Sequence, residues 1–159
     1  MGVWWRDSPA KLVELLRRRG LDPDRVDDVE AAWQAFREFL AVPVDGLEAD
    51  PDADSDGWII QWGRYSWHDN LPSLGFTRQF GVGDHQPEYW QVSLELVFSD
   101  GPAIDQLHAQ DTGFDFSAQG QEQDAALSEA ERELHHDPAL QALWKSTPTR
   151  SAITLERAG

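Results

Sequence analysis

The residues best spaced for chemistry are Asp52, Asp54 and Asp56, in the run Asp52-Ala53-Asp54-Ser55-Asp56-Gly57-Trp58-Ile59. Carboxylates at alternate positions converge on a hard cation and a Gly permits the sharp turn. An apolar residue then follows in the eighth position, as at the start of a calcium loop. The twelfth position, which in an EF-hand supplies a bidentate Glu, is Gly63, and the chain from Trp58 onward reads as strand. A standard EF-hand is thereby excluded. What remains is an aspartate-rich loop in which Asp52, Asp54 and Asp56 are candidate Ca²⁺ ligands, with Glu48 or Asp50 completing the shell. A purely solvated acidic loop competes with that reading, and no cofactor other than Ca²⁺ is expected.

Other catalytic patterns are weaker. His85 lies three residues before Glu88 in a turn containing Pro87, where no helical face aligns the two, and neither they nor His68, His108, His135 and His136 form HExxH. GxSxG is absent, neither Lys11 nor Lys145 follows a Gly-rich phosphate loop, and there is no Cys to act as nucleophile, zinc ligand or disulfide partner. The expected function is therefore non-enzymatic.

Tryptophan is the unusual resource: the chain of 159 residues has eight, and Trp58, Trp62 and Trp67 fall with Tyr65 in one ten-residue segment. If that segment is a strand, positions 58, 60, 62, 64 and 66 share one face and 59, 61, 63, 65 and 67 the other, so both faces carry aromatic rings. One face is core. The second is either covered by the segment holding Trp4 and Trp5 or is a recognition surface, because Trp, Tyr and Arg concentrate at binding hot spots. The candidate partner or ligand contacts are Trp62, Arg64, Tyr65, Trp67 and Arg78. Glu95, on the polar side of its strand, is expected near Arg64 or Arg78 across the sheet, as an active pair or a plain cross-strand ion pair.

Charge narrows the partners. The formal net charge is -16, which argues against nucleic-acid phosphates and anionic lipid. Residues 1–25 hold six cations against four anions, a net +2, which leaves -18 on residues 26–159. No stretch approaches the roughly 20 apolar residues of a membrane span, and no basic-then-apolar leader opens the chain, so a cytoplasmic location is expected.

The elements that must position these groups follow from periodicity. Ser8-Pro9 reads as a cap with Pro at the first helical position, and Leu12, Leu15 and Leu16 carry a helix from about Pro9 to Arg19, ended by Gly20. Val26, Val29, Trp33, Phe36 and Leu40 make the stripe of a second helix starting at Asp24 or Val26. Strands are expected over Trp58 to Trp67, Leu74 to Val82 and Tyr89 to Phe98. In the last, Trp90, Val92, Leu94, Leu96 and Phe98 alternate with Gln91, Ser93 and Glu95. Ala103 to Ala109 leans to helix, and Phe114 and Phe116 suit a short strand. Helices follow over Glu122 to His136 and after Asp137-Pro138, and Ser151 to Glu156 suits an edge strand.

This order predicts one α+β domain spanning 1–159: an antiparallel sheet of three to five strands with the N-terminal and C-terminal helices packed on one face. The function this composition favours is an acidic binding protein that engages a basic partner protein, as an inhibitor or immunity protein does. The alternative is a small-molecule-binding or enzymatic domain with a pocket between sheet and helices.

Overall fold

The computed structural model describes residues 2–40, 57–80, 89–101, 112–116 and 121–158. Helices α1 (Gly2–Arg18) and α2 (Val29–Leu40) lead into strands β1 (Gly57–Arg64), β2 (Pro72–Phe80) and β3 (Tyr89–Val97). Strand β4 (Thr112–Phe116), helices α3 (Gln121–Leu134) and α4 (Pro138–Trp144) and strand β5 (Arg150–Ala158) complete the order. The strands form a five-stranded antiparallel sheet ordered β4-β1-β2-β3-β5, which is the α+β architecture expected from the sequence. The helix expected over Ala103 to Ala109 lies outside the described residues.

Local chemistry sets the helix ends. Helix α1 begins earlier than the Ser8-Pro9 pair predicts and runs through Pro9, although Pro removes one i→i−4 hydrogen bond. At its far end Gly20, with φ 76°, donates to the Arg17 carbonyl at 2.9 Å and Leu21 donates to Leu16 at 3.0 Å. That is the paired Schellman closure, and it requires the left-handed conformation that Gly adopts without strain. A Cβ at Gly20 would meet no atom within 4 Å. Gly20→Ala is accordingly expected to cost only the backbone term, about 1 kcal/mol, read as a lowered Tm in thermal denaturation.

Helix α2 starts at Val29 because Asp28 is its N-cap: Asp28 Oδ1 accepts from the Ala31 N–H at 3.2 Å. Val26 is buried but stands outside the helix, donating its N–H to Ser151 Oγ at 3.1 Å. Asp137 caps α4 in the same way, accepting from the Leu140 N–H at 3.1 Å. There the cap-plus-Pro signature in the sequence locates the helix start correctly.

Strand register sorts the sheet residues into two faces. On one face lie the rows Trp58–Arg78–Val92–Leu155, Ile60–Phe76–Leu94–Ile153 and Trp62–Leu74–Leu96–Ser151. All the members of these rows from β1, β2 and β3 are buried, Ile60, Phe76 and Leu94 completely. Helices α2 and α4 pack here: the Phe76 ring lies 5.4 Å from Trp33 and 5.5 Å from Phe36 of α2, and 6.5 Å from Trp144 of α4. On the opposite face lie Ile59–Thr77–Ser93–Thr154 and Gln61–Gly75–Glu95–Ala152, polar apart from Ile59, Gly75 and Ala152.

Helix α3 is clamped to α2 through Glu131, which accepts from Trp33 Nε1 at 2.6 Å and Gln34 Nε2 at 3.2 Å and pairs with Arg37 at 2.8 Å. Burial of this carboxyl acts to raise its pKa, but the hydrogen bonds from Trp33, Arg37 and Gln34, with the Arg37 charge, outweigh it and hold the group below its ordinary value. A depressed folded-state pKa contributes stability that is present above the unfolded value and lost as the pH falls through the folded one. Glu131→Gln is therefore expected to be less stable than the wild type by about 1 kcal/mol at neutral pH. The gap should close as the pH drops through the carboxylate range, which paired Tm measurements across that range would check. A gap independent of pH would mean the carboxylate charge contributes nothing.

Candidate functional site

The polar face of the sheet is overhung by the loop between β1 and β2. Tyr65 leaves β1 extended, and Ser66–His68 then turn as a single 3-10 segment. The Tyr65 carbonyl accepts from the N–H groups of both His68 at 3.0 Å and Asn70 at 2.9 Å. Asp69 and Asn70 adopt φ values of 56° and 60°, the left-handed conformations that Asp and Asn tolerate best among residues with a Cβ. The strand expected to reach Trp67 thus ends at Arg64, since the 3-10 turn over Ser66–His68 takes the chain out of the ladder and the left-handed residues after it complete the reversal.

Arg64 ties this loop down. Its guanidinium makes a bidentate pair with Asp100, both contacts at 2.9 Å, and reaches the Asn70 carbonyl at 3.3 Å. The side-chain hydrogen bond from Arg64 is the main reason the Asp100 carboxyl sits below its ordinary pKa. The loop leading out of β3 and the loop between β1 and β2 are joined at this point, so the ring-bearing turn has a fixed base.

On that base Tyr65 and Trp67 stack, ring centroids 4.5 Å apart and planes 12° from parallel. Tyr65 is buried and its hydroxyl donates to the Trp62 carbonyl at 3.2 Å, whereas Trp67 is 63% exposed. An aromatic ring of this size held against a buried platform presents apolar area with little rotamer entropy left to lose on binding. Beside it, His68 Nε2 lies 3.6 Å from Glu95 Oε2, with the two side chains 13% and 30% exposed.

Below the ring runs a groove of about 460 Å³, lined by Trp67, Gln61, Gln79, Gln91, Ser93 and Glu95. The hydroxyls of Thr77 and Ser93, 2.9 Å apart, bond to each other at its floor. A second hollow of about 250 Å³ continues past Trp67, His68 and Glu95 toward Arg150 at the start of β5. Gly75 makes room at the centre, standing between Gln61 and Glu95 in the strand register. A Cβ there would approach Glu95 Cγ at 4.0 Å, an ordinary contact. A Gly in a strand interior weakens the strand and often marks a close approach, a signal that sequence reasoning missed at this position.

The candidate contacts are divided by the sheet. Tyr65 and Trp67 come together on the polar side, by a 3-10 turn rather than by strand alternation. Trp62 and Arg78 lie on the helix-covered side, 8% and 2% exposed. Arg78 donates to the Phe39 carbonyl at 2.5 Å, with its guanidinium carbon 5.0 Å from the centre of the Phe39 ring. Arg64 belongs to the loop base. Glu95 faces His68 instead of the expected Arg64 or Arg78: β3 register puts it on the face opposite Arg78, while Arg64 turns to Asp100.

Asp52, Asp54 and Asp56, with the side chains of Trp4, Trp5, His85 and His108, lie outside the described residues. Among the described residues no group of three His, Asp or Glu side chains gathers to hold a metal ion, and no helix is long and apolar enough to cross a membrane. Set against known proteins, the chain matches no family model, no curated protein and no solved structure.

Proposed function

We propose that this chain is a non-catalytic binding protein that engages a basic partner protein, in the manner of an inhibitor or immunity protein, through the polar face of its sheet. The observation that carries the reading is Trp67: a large ring, 63% exposed, stacked on a buried Tyr and lining the same hollows as the Glu95 carboxylate. An indole face and a carboxylate in one concavity match a Lys or Arg side chain, which gains a cation–π contact and a charge partner together. The net charge of -16 adds long-range steering toward a basic surface. The amides of Gln61, Gln79 and Gln91 supply donors and acceptors for a partner backbone or polar side chains.

The test uses an arginine- and lysine-rich octapeptide as probe, titrated calorimetrically at physiological salt into the wild type, Trp67→Ala and Asp27→Asn. Asp27 is an exposed carboxylate on the α1–α2 connection, so its variant measures diffuse charge. Binding that Trp67→Ala weakens strongly and Asp27→Asn barely alters supports the site. Equal loss in both variants, or no binding to the wild type, overturns it.

A further inference from the structure

Among the described residues strand β5 forms one edge of the sheet and runs nine residues, Arg150–Ala158. An edge of that length presents a row of backbone N–H and C=O groups that can template another strand. Among the described residues, the α1–α2 connection reaches β5 through the Ser151 hydroxyl, which accepts from the Val26 N–H at 3.1 Å and donates to the Pro23 carbonyl at 3.4 Å. Ser151 stands in a core-face row, so these two bonds lie on the helix side and use its hydroxyl, not the backbone of β5. Ile153 and Leu155, on the same face, are only half-buried where β5 ends the sheet.

We propose that this edge pairs with the same edge of a second copy, giving a twofold dimer with a continuous ten-stranded sheet. Register arithmetic selects one arrangement. Side chains alternate between faces with period two, so the two helix layers stay on one side only if residues of like parity stand opposite each other. Centring the antiparallel pair on Ile153 satisfies this. It sets Arg150 opposite the second copy's Glu156, Ser151 opposite its Leu155, Ala152 opposite its Thr154 and Ile153 opposite its Ile153.

Shifting the centre to Ala152 or Thr154 sets Arg150 opposite Thr154 or Ala158 and loses the charge match. Centring between Ile153 and Thr154 sets Arg150 against Arg157 and turns the second helix layer to the wrong side. The Ile153 register repeats the Arg150–Glu156 pair twice by symmetry and covers the half-buried Ile153 with its own copy. Arg150 is exposed, which leaves it available for that pairing. Both copies are acidic, so their general repulsion opposes association at low salt and is screened at physiological ionic strength.

Light scattering after size exclusion at physiological salt, over a concentration series, is expected to show the wild type moving to twice the 18.0 kDa of one chain. Arg150→Glu and Glu156→Arg should each weaken the dimer at least about tenfold, since each turns two attractive pairs into repulsive ones. The double variant R150E/E156R restores the match and should recover dimerisation, with circular dichroism confirming the fold of each. A wild type that stays monomeric throughout, a dimer indifferent to both reversals, or a double variant that remains dissociated would each overturn the proposal.

Discussion

Phe76→Ala is expected to lower stability by about 4 kcal/mol, a large share of the roughly 5–15 kcal/mol available to a domain. Phe76 is fully buried at the middle of β2, in the row Ile60–Phe76–Leu94–Ile153. Three rings from the helix layer converge on it, at 5.4 Å, 5.5 Å and 6.5 Å. The truncation removes the apolar area that joins α2 and α4 to the sheet and leaves a void between elements that cannot close on it. Helix α2 is held by its Asp28 cap and the Glu131 clamp, and the sheet by its ladders on both sides of β2. Cavity cost rises when a site cannot collapse. Urea denaturation should show a lower midpoint with an unchanged slope, the mark of lost native stability. A loss below about 1 kcal/mol would mean that the three rings repack freely and that Phe76 does not join the layers.

Trp67→Ala is expected to weaken binding of the basic octapeptide about thirtyfold, the equivalent of roughly 2 kcal/mol at an aromatic hot spot. The same substitution should cost only about 1 kcal/mol of folding stability, because what it removes from the folded chain is the stack on Tyr65. Binding and stability are separable here for a structural reason: the turn is held by Arg64–Asp100 and by the Tyr65 carbonyl, neither of which needs the indole. Trp67→Phe, which keeps a ring on the Tyr65 platform, should recover part of the affinity. Thirtyfold weakening with an unchanged Tm supports the site more strongly still. Equal affinities for wild type and Trp67→Ala would show that the peptide is held by diffuse negative charge.

How much of the site was legible depended on whether local pattern or three-dimensional reversal set each residue. In β3 the alternation of Val92, Leu94 and Leu96 with Gln91, Ser93 and Glu95 specifies both faces, and burial follows it. Between Trp58 and Trp67 aromatic residues occupy both parities, so the sequence leaves the inward face open. Trp62 and Arg78 share the core face, where the guanidinium is satisfied by the carbonyl of Phe39, far away in sequence. The exposed ring is Trp67, and it comes to the polar side because the chain leaves β1 at Arg64 into a 3-10 turn that two left-handed residues then close. Asp69 and Asn70 permit that turn without dictating it.

Residue spacing along the chain therefore accounts for the local inventory. It includes the α+β class, the stripe of α2, the Asp137 cap, the Gly20 stop and the inward face of β3, each the product of residue spacing or of a side chain bonding its own neighbouring backbone. The tertiary structure alone decided that β5 closes the sheet beside β3 and β4 beside β1, that Glu95 meets His68, and that Gly75 leaves space between Gln61 and Glu95. These contacts join residues distant along the chain, and their free energy comes from packing and burial shared across elements. No window of local sequence contains it.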